Sequence, residues 1–432
     1  MKKVITYGTF DLFHQGHYNL LKRAKELGDW LIVGVTTDNF DLARGKMNTC
    51  DNMMDRIEAV RATGLADQIV IEEYKGQKID DIQKYGVDIF AIGSDWTGYF
   101  DYLKEYCEVV YLPRTEGISS TLLREGRPAI SLGIIGTEGI VQKFVPESKF
   151  VNSLPISAVY APDTQACSDF CREFGIPVAA QSLDELFQSC SAIYVASTPS
   201  THHSYAKAAL LAGKHVLCET PFVFTRAEAE ELYSIAESQN LVLMVALSTA
   251  HCPAFRHLVT LLKSGAIGDI VEVNASVTAS AEDYADFPLL PIFKLIGTAY
   301  RNIDFYSRGS GREDSYMKAV LRYDAALASF QIGQGVKSEG TLVVLGTKGY
   351  AHVPAPWWKT DYFEIRYDDP SQNKKYFYPF AGEGLRYEIK DFVSAILADG
   401  NSFPKISKKE NLFMTQVLEG YLQAKNLFKL SE

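Results

Sequence analysis

The chain lacks the features that would place it in a membrane or on nucleic acid. Its apolar runs are short: residues 241–247 form one of them, whereas a helix that spans a bilayer needs about 20 apolar residues. Its 43 basic residues are outnumbered by 53 acidic ones, which gives a net charge of −10. The basic residues form no cluster that could follow a phosphate backbone. The sequence therefore predicts neither membrane insertion nor nucleic-acid binding.

The sequence shows neither a disulfide framework nor a leader segment. Its seven cysteines are odd in number and scattered along the chain, a pattern typical of reduced thiols. The first residues enter an apolar strand directly, where a secretory signal would have a basic segment and then an apolar one. These features predict a cytoplasmic protein.

What the sequence does contain is two successive stretches in which strand and helix patterns alternate, within a length of 432 residues. In the first stretch this alternation predicts a parallel sheet with crossover helices. The glycine and proline of residues 125–128 predict a linker after a domain of residues 1–126. The predicted strands of that domain are Lys3–Tyr7, Trp30–Thr36, Gln68–Ile71, Ile89–Ile92 and Val109–Leu112.

A second strand–turn–helix unit begins at residue 130 and predicts a Rossmann-type domain over residues 130–248. Residues 249–432 then alternate like antiparallel strands, which predicts an α+β domain with an open sheet. The predicted fold class is α/β: an N-terminal Rossmann-like domain, then a Rossmann domain plus a C-terminal α+β open-sheet domain. The strands predicted in these two domains are Ile130–Ile135, Ile156–Tyr160, Ala192–Ala196, His215–Cys218, Val242–Val245, Ile270–Ala279, Ala319–Arg322, Ala328–Gly333, Glu339–Leu345 and Phe363–Tyr367.

The most informative segment is residues 8–17, which read GTFDLFHQGH. An apolar strand comes directly before it, and residues 18–27 follow with helical spacing, so His17 is predicted to open a helix. A helix N-terminus presents N–H groups and the positive end of its dipole to whatever lies above the sheet. Together with the imidazoles of His14 and His17, this arrangement predicts an anion site suited to a triphosphate.

Residues 1–125 resemble the HxGH nucleotidyltransferases, and more narrowly the glycerol-3-phosphate cytidylyltransferases of teichoic-acid synthesis. The resemblance rests on the segment above and on a second motif, residues 114–121, which reads RTEGISST with Ser120 where threonine is usual. It implies transfer of CMP from CTP to glycerol 3-phosphate, or to a close polyol phosphate, giving CDP-glycerol and pyrophosphate. Mg²⁺ is expected to arrive with CTP, without metal ligands from the protein.

The chemistry of such a transfer agrees with these residues. The acceptor phosphate has its second pKa near ~6 and is already an anionic nucleophile, so the reaction needs alignment and charge stabilisation instead of a general base. By resemblance, the catalytic residues are His14, His17, Lys46 and Arg114. The nucleotide-binding residues implied are Thr9, Phe10, Asp11, Gly16, Asp38, Gly93, Asp95, Trp96, Thr115, Ser119 and Ser120.

One position departs from that family. Where the family carries an arginine that contributes to triphosphate binding, this chain has Gly64. Arg61 lies one helical turn earlier and is the candidate to compensate. Without compensation, the departure predicts weak nucleotide affinity or a different nucleotide.

Residues 130–432 resemble the Gfo/Idh/MocA oxidoreductases. The matching pieces include residues 133–136, the run STPSTHH at 197–203 and residues 212–219. The resemblance implies a Rossmann domain for NAD(P), and the candidate cofactor-binding residues are Gly136, Gly139, Asp163 and Glu219. His202 and His203 match a structural turn of the family.

Three departures predict that this second half no longer catalyses a reaction. Glu138 replaces the second glycine of the G-x-G-x-x-G fingerprint and adds bulk and like charge where a pyrophosphate should lie. Thr220 stands where the family has its catalytic lysine. No histidine occurs between His257 and His352, where an Asp/His pair is expected, and Lys294 is the only cation immediately there. These departures argue against NAD(P) binding.

The leading prediction is a cytidylyltransferase whose oxidoreductase-like half is a scaffold, an oligomerisation surface or a metabolite sensor. The alternative is a bifunctional enzyme whose C-terminal half is an NAD(P)-dependent reductase that makes the polyol phosphate. A third function is regulation, with ligands bound at both sites and no turnover. CTP and a small polyol phosphate are the expected partners. Both families commonly form dimers, so a homodimer or a higher oligomer is expected.

Overall fold

The chain forms two compact units, Met1–Ala129 and Ile130–Glu432. The computed structural model describes residues 1–37, 51, 53–74, 76–113, 130–151, 154–278, 286–309, 316–333, 336–378, 380, 382–397 and 404–430, without the side chain of Asp95.

The first unit is a parallel five-stranded sheet with helices in its crossovers, as the alternating pattern predicts. Its described elements are β1 (Lys3–Gly8), α1 (Gln15–Lys25), β2 (Trp30–Thr36), α2 (Met53–Ala62), β3 (Gln68–Glu72), α3 (Gln77–Tyr85), β4 (Ile89–Gly93) and β5 (Glu108–Leu112). The strand order is β3-β2-β1-β4-β5, and every neighbouring pair is parallel. All five strands therefore end at one edge, and the order reverses between β1 and β4, where open α/β sheets bind their ligands.

Alternation of side chains along the strands gives this sheet two apolar cores. Val4 packs on one face with Phe10 and Leu21, while its neighbour Ile5 packs on the other face with Phe90. Successive strand residues point to opposite faces, so a strand buried on both faces is mostly apolar, as β1 is apart from buried Thr6. The central strand β1 packs against apolar cores on both faces of the sheet. This packing fixes the position at which residues 8–17 leave the end of the strand.

The second unit begins with a six-stranded parallel sheet, which confirms the predicted Rossmann-type fold. Its elements are β6 (Leu132–Ile135), α4 (Val141–Ser148), β7 (Ile156–Tyr160), α5 (Thr164–Phe174), β8 (Val178–Ala179), α6 (Leu183–Gln188), β9 (Ala192–Val195), α7 (His202–Leu211), β10 (His215–Glu219), α8 (Arg226–Ser238) and β11 (Leu243–Ala246). The strand order is β11-β10-β9-β6-β7-β8. The strands β9, β10 and β11 thus lie on one side of β6, and β7 and β8 lie on the other.

A nine-stranded sheet completes the second unit. Its elements are α9 (Pro253–Lys263), β12 (Ile270–Val277), α10 (Asp286–Leu295), β13 (Asn302–Arg308), β14 (Tyr316–Arg322), β15 (Leu327–Gly333), β16 (Leu342–Gly346), β17 (Tyr350–Val353), β18 (Tyr362–Arg366), β19 (Lys374–Phe377), α11 (Leu385–Leu397), α12 (Lys408–Leu422) and β20 (Leu427–Lys429). The strand order is β19-β18-β17-β16-β12-β15-β14-β13-β20.

The prediction that this sheet is antiparallel is wrong in two places. The strands β12 and β15 pair in parallel, and so do β13 and β20. Each parallel pair is joined by a long connection with other elements in between, as parallel neighbours require. Alternation in the sequence indicates a half-buried strand but does not give the direction of its neighbour. Among the described residues, no helix is both long and apolar enough to cross a membrane.

Candidate functional site

The turn of residues 9–14, here called the signature turn, lies at the carboxyl edge of the first sheet, between β1 and α1. The helix begins at Gln15, so the prediction that His17 opens it is wrong by two residues. The reason is that His14 caps the helix. Its Nδ1 accepts a hydrogen bond from the N–H of Gly16 at 3.0 Å, and its carbonyl oxygen accepts from the amides of His17 and Tyr18. An imidazole here takes the place of the usual Ser or Asp cap.

The cap also sets the protonation of His14. Because Nδ1 accepts a hydrogen bond, the neutral ring carries its proton on Nε2. Burial lowers the pKa of His14 below its ordinary value, which favours the neutral ring at neutral pH. The ring of His17 stacks on it, with centroids 3.9 Å apart and planes at 21°. The structure thus brings the two predicted catalytic histidines together at the start of α1, where they can contact one phosphate group.

The preceding residues give the turn its shape. Phe10 is buried, and its ring packs edge-on against the ring of His17, with the centroids 5.4 Å apart. The Oδ1 atom of Asp11 accepts a hydrogen bond from the amide of Asp51 at 2.9 Å. The carbonyl oxygen of Thr9 accepts one from Arg56 at 2.6 Å. These contacts show what holds the turn, and the nucleotide contacts of Thr9, Phe10, Asp11 and Gly16 stay predictions.

A second predicted part of the site follows β4. Gly93 is the last residue of that strand, and a short 3₁₀ turn, Ser94–Trp96, comes directly after it. Trp96 is 40% exposed, and its ring packs against Tyr99 at 5.3 Å. An exposed indole at the ligand edge of a sheet suits stacking on a nucleobase. The other predicted residues lie outside the described part of the chain: Asp38, Lys46, Arg114, Thr115, Ser119, Ser120 and the side chain of Asp95.

Sequence analysis missed a buried polar cluster at the end of β3. Lys78 forms an ion pair with Glu72, and its Nζ lies 4.4 Å from the ring centroid of Tyr7 and 5.6 Å from that of Phe100. The hydroxyl of Tyr7 donates to Asp81 at 2.7 Å. From the sequence, charged residues on a short helix are predicted to lie on its solvent-exposed face. Whether they are buried depends on how the helix packs on the sheet.

Two arginines of α2 have different surroundings. Arg56, which sequence analysis also missed, is fully buried, and the candidate to compensate for the absent arginine, Arg61, is exposed and pairs with Glu58. Gly64 follows the helix with φ +67°, a left-handed conformation that favours glycine. The backbone thus explains why glycine occupies this position, and compensation by Arg61 stays a prediction.

In the second unit, the predicted cofactor turn joins β6 to α4. Gly136 has φ +119°, and a Cβ there would stand 2.3 Å from the carbonyl oxygen of Ala196, so only glycine permits this close approach. Gly139 also has a positive φ, but a Cβ there would meet nothing within 4 Å. Glu138 is exposed between them. Asp163 caps α5 by accepting two amide hydrogen bonds of its first turn, and its ribose contact stays a prediction.

The end of β10 belongs to an acidic cluster in which Glu219 is half-buried and Glu388 is fully buried. Glu219 accepts a hydrogen bond from the hydroxyl of Tyr194, which is fully buried and stacked on Phe144 at 3.9 Å. Glu388 of α11 is fully buried, and neither of its carboxyl oxygens has a hydrogen-bond partner among the described residues. Desolvation raises the pKa of Glu219 to about 7. Desolvation, with repulsion from Glu219 added, raises the pKa of Glu388 well above its ordinary value. The contact of Glu219 with a cofactor stays a prediction.

The other polar side chains singled out in this unit hold its own elements together. The ring nitrogens of buried His202 lie 2.8 and 3.0 Å from two backbone carbonyl oxygens. His203 pairs with Glu231 at 2.8 Å. Lys294 pairs with Glu410 at 2.7 Å, and that glutamate also caps α12. These contacts agree with structural roles for the three residues.

A parallel sheet with two stacked imidazoles at the reversal of its strand order is the arrangement of a nucleotidyltransferase. Residues 5–126 match the cytidylyltransferase-like family. Glycerol-3-phosphate cytidylyltransferase of Bacillus spizizenii is 54% identical over 125 residues, which are 29% of this chain and 96% of that protein. The enzyme of that name from Staphylococcus aureus is 48% identical over 127 residues, 29% of this chain and 94% of its own length. The chain belongs, through its first unit, to the cytidylyltransferase family.

Residues 130–247 match the Gfo/Idh/MocA oxidoreductase family with its NAD-binding Rossmann fold. A scyllo-inositol 2-dehydrogenase (NADP(+)) of Bacillus subtilis is 26% identical over 313 residues, 66% of this chain and 92% of that protein. A solved 3-ketoreductase from Actinomadura kijaniata, in complex with NADP and TDP-benzene, shares the fold with a TM-score of 0.63 at 20% identity, covering 70% of this chain and all of that one. Residues 130–247 of the second unit thus match this oxidoreductase family, and the unit shares the fold of the solved reductase.

Proposed function

We propose that the protein transfers CMP from CTP to glycerol 3-phosphate, or to a close polyol phosphate, and releases CDP-glycerol and pyrophosphate. The observation that carries this proposal is the stacked pair of His14 and His17 in a unit that is 54% identical to a glycerol-3-phosphate cytidylyltransferase. The reversal of strand order beside that pair supplies the usual place for a nucleotide.

The geometry suits an in-line displacement without a general base. The acceptor phosphate is already anionic, so its oxygen attacks the α-phosphorus of CTP as pyrophosphate departs. His14 donates from Nε2, since its Nδ1 is held by the amide of Gly16, and stacked His17 contacts the same phosphate. Donors aimed at developing charge contribute about 10²–10³-fold each. Mg²⁺ arrives with CTP; among the described residues, no group of three His, Cys, Asp or Glu could hold a metal.

The Glu72–Lys78 pair is the place that we assign to the hydroxyl groups of the acceptor. It lies at the end of β3, and through Phe100 it adjoins Trp96 after β4, so an acceptor bound there would lie beside the nucleotide. The Oε2 atom of Glu72 is buried without a hydrogen-bond partner among the described residues. A buried acceptor of this kind carries a desolvation cost, which the hydroxyl of a polyol would relieve.

The proposal is tested by measuring pyrophosphate release with Mg²⁺ while CTP and ATP are each crossed with a panel of polyol phosphates. Turnover with CTP and glycerol 3-phosphate is expected, and its absence over the whole panel would refute the proposal. Lys78→Met should raise the KM of the polyol phosphate about tenfold, as expected for one lost hydrogen bond to a charged group, and leave the KM of CTP within twofold. Lys84→Met, on the same helix, is the matched control.

For the second unit we propose that it does not transfer hydride. The residues present fit a dinucleotide poorly, because exposed Glu138 places a carboxylate in the turn that should approach the pyrophosphate. Thr220 cannot supply the charged acid of the family, and Lys294 is engaged by Glu410. No change in the melting temperature or fluorescence of the protein is expected when NADH or NADPH is added.

The bifunctional enzyme remains the second candidate, because Gly136 keeps the close approach of β6 to β9 on which the family's turn depends. In that enzyme, the second unit reduces a keto or aldo phosphate to the polyol phosphate that the first unit activates. Saturable binding of NADPH, followed by its oxidation when a ketose phosphate is added, would establish this candidate and overturn the proposal above.

A further inference from the structure

The signature turn contains a backbone conformation that needs support. Phe10 has φ +55° and Leu12 has φ +47°, both in the left-handed region that non-glycine residues rarely occupy. Such conformations persist where the surrounding structure over-determines them, and they cluster at functional sites. The buried ring of Phe10 fixes the first of them. The second lies two residues before His14, so what holds Leu12 also sets where the histidine pair begins.

The support comes from a segment some forty residues later in the chain. The Oδ2 atom of Asp51 accepts a hydrogen bond from the amide of Leu12 at 2.8 Å, and the amide of Asp51 donates to Oδ1 of Asp11 at 2.9 Å. The two bonds are complementary, because Asp51 accepts one with its carboxylate and donates the other with its backbone amide. They bridge adjacent residues of the turn and thus fix the peptide plane between Asp11 and Leu12.

Arg56 adds two more bonds to the same pair of segments. Its guanidinium is fully buried, and Nη1 donates to the carbonyl oxygen of Thr9 at 2.6 Å while Nε donates to that of Asp51 at 3.2 Å. The planar guanidinium of Arg56 therefore links Thr9, at the start of the turn, to Asp51, which holds its end. Three residues of the turn, Thr9, Asp11 and Leu12, are held in this way.

We propose that Asp51 is a positioning residue of the cytidylyl transfer, and that with Arg56 it holds the turn so that His14 and His17 stack in register. The inference rests on the proposed function and deepens it. Asp51 itself contacts no substrate: it acts through Leu12, whose conformation sets the direction in which the chain enters the His14 cap. A displacement of about 1 Å at a reacting centre costs about 10²-fold in rate, so loss of this bond should appear in kcat.

The test compares Asp51→Ala, which removes the acceptor for the Leu12 amide, with Asp51→Asn, which keeps an oxygen at the same reach. We expect kcat to fall about 10²-fold in Asp51→Ala, with the KM of CTP within threefold, and to recover in Asp51→Asn to within about fivefold of wild type. Asp51→Ser is the second variant: it stays polar but is too short to reach the amide, and it should behave like Asp51→Ala. Glu105→Ala, at an exposed acidic residue of the first unit outside the turn, is the control.

A spectroscopic readout separates positioning from mere stability and does not depend on the acceptor. In imidazole ¹⁵N spectra of the full chain, His14 should show an accepting Nδ1 and a protonated Nε2 in wild type and in Asp51→Asn. In the Ala and Ser variants this tautomer should average with the other one. A variant that melts earlier but keeps its kcat and the His14 tautomer would overturn the inference. Wild type without turnover on any polyol phosphate would instead refute the proposed function, and the spectra would still decide on Asp51.

Discussion

At the scale of single residues, the arrangement of His14 matters more than its presence in a motif. Its Nδ1 accepts a hydrogen bond in the cap of α1, so the proton of the neutral ring lies on Nε2, and Nε2 is the nitrogen that donates in the proposed mechanism. His14→Ala is therefore expected to lower the kcat for pyrophosphate release about 10²–10³-fold with the fold retained. His203→Ala, a half-buried histidine of the second unit that pairs with Glu231, should leave that rate unchanged. Equal activity of the His14 variant would contradict a catalytic role.

The pH dependence of the reaction follows from the same cap. Protonation of Nδ1 would break the bond from Gly16, and burial lowers the pKa of His14, so the active neutral form persists below the ordinary titration point of about 6.5. We expect kcat/KM for CTP to stay level as the pH falls to about 6.5 and to decline only at lower pH. The pH profile, measured with acceptor in excess, decides this. A decline that begins above about pH 7 would mean that another group controls the rate.

Sequence analysis found the residues that belong to local motifs and missed those that come into contact only in the folded protein. His14 and His17 follow from their spacing after a strand. Glu72 and Lys78, and likewise Asp51 and Arg56, come together only when α2 and α3 take their places against the sheet. The tautomer of His14 was equally invisible, because it depends on a cap that forms two residues earlier than the hydrophobic spacing indicates.

At the scale of elements, the turn between β6 and α4 shows how a motif can lose its chemistry and keep its geometry. Gly136→Ala is expected to destabilise the second unit by about 2–4 kcal/mol, since the new Cβ would meet the carbonyl oxygen of Ala196 and the backbone would also be strained. Gly139→Ala, also at positive φ but with open space around its Cβ, should cost only about 1 kcal/mol. Urea unfolding of the second unit measures both. Equal costs would show that strain alone, and not the close approach, requires Gly136.

The elements themselves were predicted best where strands are buried on both faces. The strands Trp30–Thr36 and Ile156–Tyr160 have the predicted bounds, because continuous apolar runs between turn residues leave little choice. Pairing direction in the nine-stranded sheet was not predicted. Residues 270–277 alternate equally well beside a parallel or an antiparallel neighbour, so the parallel pairing of β12 with β15 depends on the route of the chain between them.

At the scale of the whole molecule, two units with separate cores are expected to respond separately to ligand and to pH. A chain of this kind does not unfold as one two-state transition. CTP, the proposed substrate of the first unit, should raise the transition of that unit by mass action. The acidic cluster of Glu219 and Glu388 belongs to the other unit, so pH should act on that transition through a different set of groups.

The sign of that pH effect follows from the raised pKa values of the cluster. The pKa of Glu219 rises from 4.5 to about 7, and that of Glu388 rises well above 4.5. From about pH 4.5 to above pH 7, the native second unit therefore binds more protons than the unfolded chain. The stability contributed by the protonated pair is fully present below about pH 4.5 and is lost as the pH rises through that range.

Glu388→Gln keeps the shape of the protonated side chain and removes its titration, so its effect should grow with pH. We expect the melting temperature of the second unit to equal that of wild type near pH 4.5 and to exceed it by about 2 °C or more at pH 8. Exposed Glu173→Gln on α5 is the control and should shift the melting temperature equally at both pH values. Because Asp391 on the same helix repels Glu388 and stays paired with His251 at 2.7 Å, the substitution relieves repulsion without breaking that pair. A Glu388→Gln variant that is less stable than wild type at pH 8 would contradict the raised pKa of this carboxyl.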